Sequence, residues 1–212
     1  MMTWLKKERR ILLKSFAIGV FIAIGVAAYT FAYSAAIQRD IAQNVIRFHV
    51  VAHDNSPEEQ DLKEYVRTSI LQNFADTLSE TTDIYRQREH FAEILPKLQQ
   101  HAQEVVNRHG FKHTVYAQMA TVFFPTQHYG NIVFPPGYYE AVQIFIGDGE
   151  GENWWCLMFP PLCYVDMTTT EAAHEMLYDA VSYESFRLLT HTENPSTELL
   201  VRFRVVEWWQ NR

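Results

Sequence analysis

Two cysteines, Cys156 and Cys163, are the only thiols in 212 residues. They bracket the end of the segment Asn153–Cys163, NWWCLMFPPLC, beside Trp154 and Trp155. Thiols at this separation either join as a disulfide or stay as free thiols packed among aromatic rings. They do not form the two-residue-gap redox motif, and no four-ligand metal set accompanies them. Pro160-Pro161 lies between them and supplies a bend.

The other residue types with chemical potential give incomplete patterns. His174-Glu175 opens like the zinc-protease motif HExxH, but the fifth position is Tyr178. That chemistry needs two imidazoles one helical turn apart, so an exposed polar helix face is expected instead. His49, His53 and Asp54 are ligand types, yet His49 lies on an alternating strand-like segment and the other two at its end. Their directions diverge, and structural hydrogen bonding is expected of them. Gly147-Asp148-Gly149-Glu150-Gly151 reads GxGxG, but it connects two strand-like segments and carries two acidic residues. A phosphate cradle opens a helix whose amides meet the anion, so this is a hairpin turn or a weak calcium loop. No serine sits in a GxSxG elbow, and Asp166 has no second carboxylate beside it. The residues therefore predict no enzyme activity, no cofactor, no metal and no small-molecule substrate.

What is left is recognition. Trp154, Trp155, Phe159, Pro160, Pro161 and Tyr164, with Trp208 and Trp209 near the end, include the aromatic types that anchor interfaces. Adjacent residues of a strand point to opposite faces, so one tryptophan is core. The other needs a cover, from another element of the chain or from a partner.

Elements must position these residues. Val45–Val51 alternates, with Ile46, Phe48 and Val50 on one side and Arg47 and His49 on the other, which predicts a strand. Ser56, Pro57 and Glu59 form a capping-box start for a helix striped by Leu62, Val66, Ile70, Phe74 and Leu78, with Lys63, Glu64 and Arg67 toward water. A second helical region runs from about 82 to 108, split or kinked at Pro96 and ended by Gly110. Residues 114–124 and 138–146 read as strands, 125–137 as a loop, and the tryptophan–cysteine segment as a third strand. Thr168 and Glu171 cap a helix reaching about 189, and 199–206 alternates as a closing strand. The order predicts an α+β fold: an antiparallel sheet, its three grouped strands in a meander, with the helices packed on one face.

The chain begins with a basic region, residues 1–14, and then a run without charge over residues 15–37. That run is long enough to cross a bilayer, as a signal peptide or a signal anchor, and the basic flank keeps the N-terminus in the cytoplasm. Small residues at Ala32–Ser34 and Ser34–Ala36 suit cleavage. Lys6, Lys7, Arg9, Arg10 and Lys14 against Glu8 leave residues 1–36 at +4, while the rest carries −11 within a total of −7. An acidic exported domain, residues 45–209, is unsuited to nucleic acid. Export also favours the disulfide reading of Cys156 and Cys163.

IRFHVVAHDNS (46–56), QDLKEYVR (60–67), FPPGYYEAVQIFIGDGEGENWWCLMFPPLCYVD (134–166) and VRFRVVEWW (201–209) resemble the stage II sporulation protein R family. The resemblance spans nearly the whole exported domain, and the tryptophan–cysteine block is its most specific part. Pro136 and the AHDNS segment look like variants within it. The resemblance implies a non-enzymatic signalling protein of endospore-forming bacteria. Such a protein is made in the forespore and exported to the space between the two cell membranes. There it activates a membrane-embedded aspartic protease of the mother cell that processes the precursor of sigma factor E. The alternatives are an envelope hydrolase with an unrecognised metal site around His49 and His53, and a structural envelope protein without signalling output.

Overall fold

The structure, a computed structural model, describes residues 2–78, 81, 83–164 and 170–190. It divides into two units at the Arg39/Asp40 boundary. The first is most of helix α1 (Met2–Asn44), whose side chains from Phe16 to Phe31 are almost all exposed. From Ile11 to Asn44 this helix is long and apolar enough to cross a membrane, with a hydropathy of 2.3 and none of its apolar window buried. The helix continues past the charge-free run, and its last turn, from Asp40, belongs to the second unit.

The second unit is α+β. Its sheet has four strands in the order β2 (Val115–Phe124), β5 (Gly137–Ile146), β1 (Ile46–Val51), β6 (Asn153–Phe159). β2 and β6 run antiparallel to their neighbours, but β1 and β5 are parallel, Phe48 opposite Val142 and Val50 opposite Ile144. The expected meander is therefore corrected to a mixed sheet, because β1 inserts between β5 and β6. A strand buried on both faces takes a central place, and every residue of β1 is buried.

Helices α2 (Pro57–Leu78) and α3 (Ile84–Arg108) cover one face. Leu62, Val66 and Ile70 of α2 and Phe91, Leu98 and Ala102 of α3 are fully buried against Ile46, Phe48, Val50, Val142 and Ile144. Lys63, expected to face water, is instead buried: its ammonium donates to Gln60 Oε1 at 2.6 Å and to Glu152 O at 3.4 Å. Ser56 does precede the first helical turn, but its hydroxyl donates to Asp54 Oδ1, and Glu59 accepts from His113, so the two do not close a capping box. Pro96 lies inside an unbroken α3. Pro96 and Ala92 are both exposed, so the position where the helix lacks an amide lies on its solvent side. At the other end Gly110, at φ +83°, closes a reversal in which Phe111 N donates to Val106 O and Gly110 N to Asn107 O.

The stretch 125–137, read as a loop, holds a two-stranded ribbon, β3 (Gln127–Tyr129) and β4 (Ile132–Phe134), which pairs with itself rather than with the main sheet. Its strands are too short for alternation to show. The helix expected to about 189 is two helices, α4 (Thr170–Ala180) and α5 (Tyr183–Thr190). Ser182 breaks it: its hydroxyl accepts from Ser185 N at 3.3 Å, capping α5 and ending α4. α5 packs against β4. Thr168, Asp166, the strand expected at 199–206, Trp208 and Trp209 lie outside the described residues.

Candidate functional site

β6 presents its two tryptophans to opposite faces, and both are half-buried against the chain's own elements. Trp154 lies on the helix side, edge-on to Phe48 with centroids 6.0 Å apart and 4.9 Å from the Arg67 guanidinium of α2. Trp155 lies on the far side, 4.5 Å from the His49 ring and 4.6 Å from that of Phe124. Cys156 returns to the helix side, where it joins Cys163, with Cα atoms 5.6 Å apart. Between them Phe159 and Pro160 are buried, linked by a cis peptide bond, and Leu162 N donates to Pro160 O at 2.7 Å. Pro161 is half-buried, and Leu162–Tyr164 is a turn of 3-10 helix. The segment is thus a bend clamped at both ends, exposing parts of Trp154, Trp155 and Pro161.

The far face of the sheet holds a group that alternation alone did not reveal. Arg47 is fully buried there. Its guanidinium carbon lies 4.1 Å from the Phe124 ring centre, 4.9 Å from that of Tyr139, 5.6 Å from Phe134 and 5.9 Å from Tyr129, and Nη2 donates to Tyr129 Oη at 2.9 Å. Two of these rings come from the ribbon. Burial raises the Tyr129 hydroxyl above its usual range, against the opposing pull of Arg47. His49, two residues on, accepts from Gln143 Nε2 at Nδ1, 3.1 Å. Burial, reinforced by the Arg47 charge, lowers its pKa to about 4, so it is neutral at pH 7.

His53 and Asp54 are elsewhere, at the end of β1. His53 Nδ1 accepts from Asp148 N at 3.0 Å and its ring stacks on His113 at 4.2 Å, while His113 donates to Glu59 at 2.7 Å. Asp54 Oδ1 accepts from Ser56 N and Oγ, which hold its carboxyl below the usual range. The structure does not bring His49 together with His53 and Asp54, and among the described residues no three His, Cys, Asp or Glu side chains are placed to hold a metal.

The glycine-rich segment is not a hairpin turn, since β5 and β6 are not neighbours. It arches over the end of β1, donating from Glu150 N to His53 O, from Gly151 N to Ala52 O and from Glu152 N to Asn55 Oδ1. Those amides are spent on the chain itself and not free for a phosphate. A Cβ on Gly151 would lie 2.3 Å from Asp54 O, which is why the AHDNS and GDGEG segments, far apart in sequence, fit only with glycine there.

Ser69 Oγ and His101 Nε2 are 2.8 Å apart across α2 and α3, a hydroxyl–imidazole pair that no sequence spacing announced. Ser69 lines a cleft of about 470 Å³ with Tyr65, Val105, Arg108 and His109. Among the described residues no carboxylate is bonded to His101, and the amides around Ser69 belong to helix ladders. The pair lacks the orienting acid and oxyanion donors of a hydrolytic site and reads as an inter-helix tie. His174 of α4, expected on an exposed face, is half-buried and edge-on to Phe186 of α5.

The family model for stage II sporulation protein R matches residues 42–169, from the last turn of α1 past the cysteine-clamped bend. The chain is 30% identical over 181 residues to stage II sporulation protein R of Bacillus subtilis (strain 168), covering 79% of this chain and 81% of that protein. No solved structure matches.

Proposed function

The chain belongs to the stage II sporulation protein R family, and from that premise we propose that it is an exported, non-catalytic activator of a membrane-embedded aspartic protease. In this reading the forespore makes and exports it to the intermembrane space, and the mother-cell protease then processes the sigma factor E precursor. The observation that carries the reading is the family match across the folded domain. The apolar helix with basic residues before it supports export. The hydrogen-bonded roles of the histidines, the glycine arch and the Ser69–His101 pair support action by contact rather than by chemistry.

The contact surface of this reading is the clamped bend. Trp154, Trp155 and Pro161, partly exposed, and Tyr164 meet the protease. Phe159 and Pro160, buried, hold the bend's shape, and the Cys156–Cys163 disulfide fixes its ends in an oxidising compartment. The test is co-expression with the cognate protease and the sigma factor precursor in a host without other sporulation proteins. Processing is expected only when this chain is present, and Trp154→Ala together with Pro161→Ala is expected to reduce it at least tenfold with the protein level unchanged. Processing that proceeds equally without the chain ends the proposal.

A further inference from the structure

β2 is an edge strand. Gly147 N donates to Thr114 O across the ladder, so the backbone groups of even residues bond β5 and those of odd residues point outward. Helix α3 closes the first part of this edge. Gln103 Oε1 accepts from Val115 N at 2.8 Å and Gln99 Oε1 from Ala117 N at 3.0 Å. One and two turns earlier the same line of α3 carries Ala92, Leu95 and Pro96, whose side chains have no acceptor to offer. Among the described residues no hydrogen bond reaches the amides of Met119, Thr121 or Phe123. Edges are ordinarily blunted by charge, proline or a cover. β2, VYAQMATVFF, has neither charge nor proline, which leaves a cover.

We propose that residues 199–206 of the same chain, which lie outside the described residues, cover this half-edge as a fifth strand antiparallel to β2, with Val201 opposite Thr121. The path of the chain leads there. Ser182 N and the Ser185 hydroxyl donate to Asp40. One turn on, Gln43 O accepts from Arg88, which pairs with Glu140, and Glu140 stands opposite Thr121 in the ladder. α5 also packs against β4 of the ribbon that follows β2, so it sits at the Phe124 end of the sheet. From Thr190, residues 191–198 can extend about 30 Å, enough to bring Leu199 to Phe123. A strand that enters at that end runs from Phe123 toward Met119, opposite in direction to β2.

Pattern and charge fit the same placement. Directly opposed residues share a face. Leu199, Val201 and Phe203 then meet Phe123, Thr121 and Met119 on the helix side, beside Ala92 and Leu95, and the three pairs exchange about six backbone hydrogen bonds. Phe203 against Met119 is a sulfur–aromatic contact. The ladder stops where the edge is already closed, since Val205 would meet Ala117, whose amide is held by Gln99. Arg202 and Arg204 fall on the other face, beside half-buried Ala120 and Val122 and away from Arg88. They are the only charges of the segment, both positive, on a domain that is otherwise strongly acidic, so the segment is attracted where a second copy of the chain, at −7, is repelled.

The experiment uses the full chain in detergent micelles. Thr121→Cys with Val201→Cys is expected to form a disulfide within one chain under mild oxidation, since residues opposed in such a pair lie about 5.5 Å apart at Cα, within disulfide reach. Peptide mapping identifies the bond. Asn153→Cys with Val201→Cys, on the opposite edge of the sheet, is the control. Independently, the Thr121 amide is expected to exchange its hydrogen about 100-fold faster in a chain ending at Pro195 than in the full chain, while the Val115 and Ala117 amides, held by α3, keep their rates. Far-ultraviolet circular dichroism checks that each variant folds, and the cross-link alone decides the matter if the shortened chain does not. A link at Asn153→Cys as fast as at Thr121→Cys overturns the proposal. So does a link that joins two copies instead of closing within one, or a Thr121 exchange rate that is the same with and without the segment.

Discussion

Arg47 carries a full positive charge into the interior with no carboxylate bonded to it among the described residues. Leaving water costs such a group several kcal/mol, and here the offset comes from four ring faces and one phenol oxygen. His49, beside it, responds to the same burial by staying neutral. Its pKa of about 4 lies below the 6.5 of an exposed imidazole, which fixes the sign of a pH effect. Above pH 6.5 neither folded nor unfolded chain holds the proton, and stability is intact. As pH falls from 6.5 to 4 the unfolded chain takes it up first, so stability drops, on the order of 3 kcal/mol in all. Below 4 both states are protonated and the loss levels off. His49→Gln keeps a polar partner for Gln143 but does not titrate. Urea midpoints at pH 7 and pH 4 are expected to fall less far apart in this variant than in the parent, and an identical acid limb would show that another group controls it. Alternation placed Arg47 and His49 on one side of a strand. It did not show that this side is covered, because the cover includes Tyr129 and Phe134, about eighty residues later in a ribbon whose strands are three residues long.

At the scale of elements, the helices were the most legible part. The Leu62–Val66–Ile70 stripe and the Gly110 stop are local signals, and both helices form where those signals lie. Sheet order was not legible, because the place of β1 between β5 and β6 depends on pairing across about a hundred residues. The same insertion turns the glycine segment from a hairpin into an arch and puts the tryptophan strand on the sheet edge next to β1. β6 then needs its own restraint at the free end, where the chain bends at Phe159–Pro160. The Cys156–Cys163 link supplies it by closing a short loop. In the chain-entropy account a loop of this length contributes about 2 kcal/mol. Cys163→Ser is expected to lower the unfolding free energy by about that amount, while mass analysis of the parent, purified without reductant, is expected to show no alkylatable thiol. Two alkylatable thiols in that parent, or a Cys163→Ser variant of unchanged stability, would remove the clamp from the account.

For the whole molecule, the boundary that matters lies inside a helix. The charge-free run was legible from residue types alone, and it suggested an exported domain beginning near residue 45. In the structure the second compact unit begins at Asp40, for reasons that composition does not carry. Asp40 accepts from Ser182 N at 3.1 Å and from the Ser185 hydroxyl, so the last turn of α1 caps α5. Arg88 of α3 donates to Gln43 O at 2.8 Å and pairs with Glu140 of β5. Ile41 and Val45 are fully buried. Both small-residue stretches that suit cleavage, Ala32–Ser34 and Ser34–Ala36, precede this turn, so a chain cut at either would retain Asp40, Ile41 and Val45. A chain starting at Asp40 is therefore expected to fold cooperatively in water. One starting at Ile46 loses two buried aliphatic side chains and the α5 cap, a deficit on the order of 5 kcal/mol. Asp40→Ala in the longer fragment isolates the cap and is expected to cost about 1–3 kcal/mol, since it strands the Ser182 amide and Ser185 hydroxyl. Urea denaturation of the three fragments measures each difference. Equal midpoints for the Asp40 and Ile46 fragments would put the boundary back at the first strand.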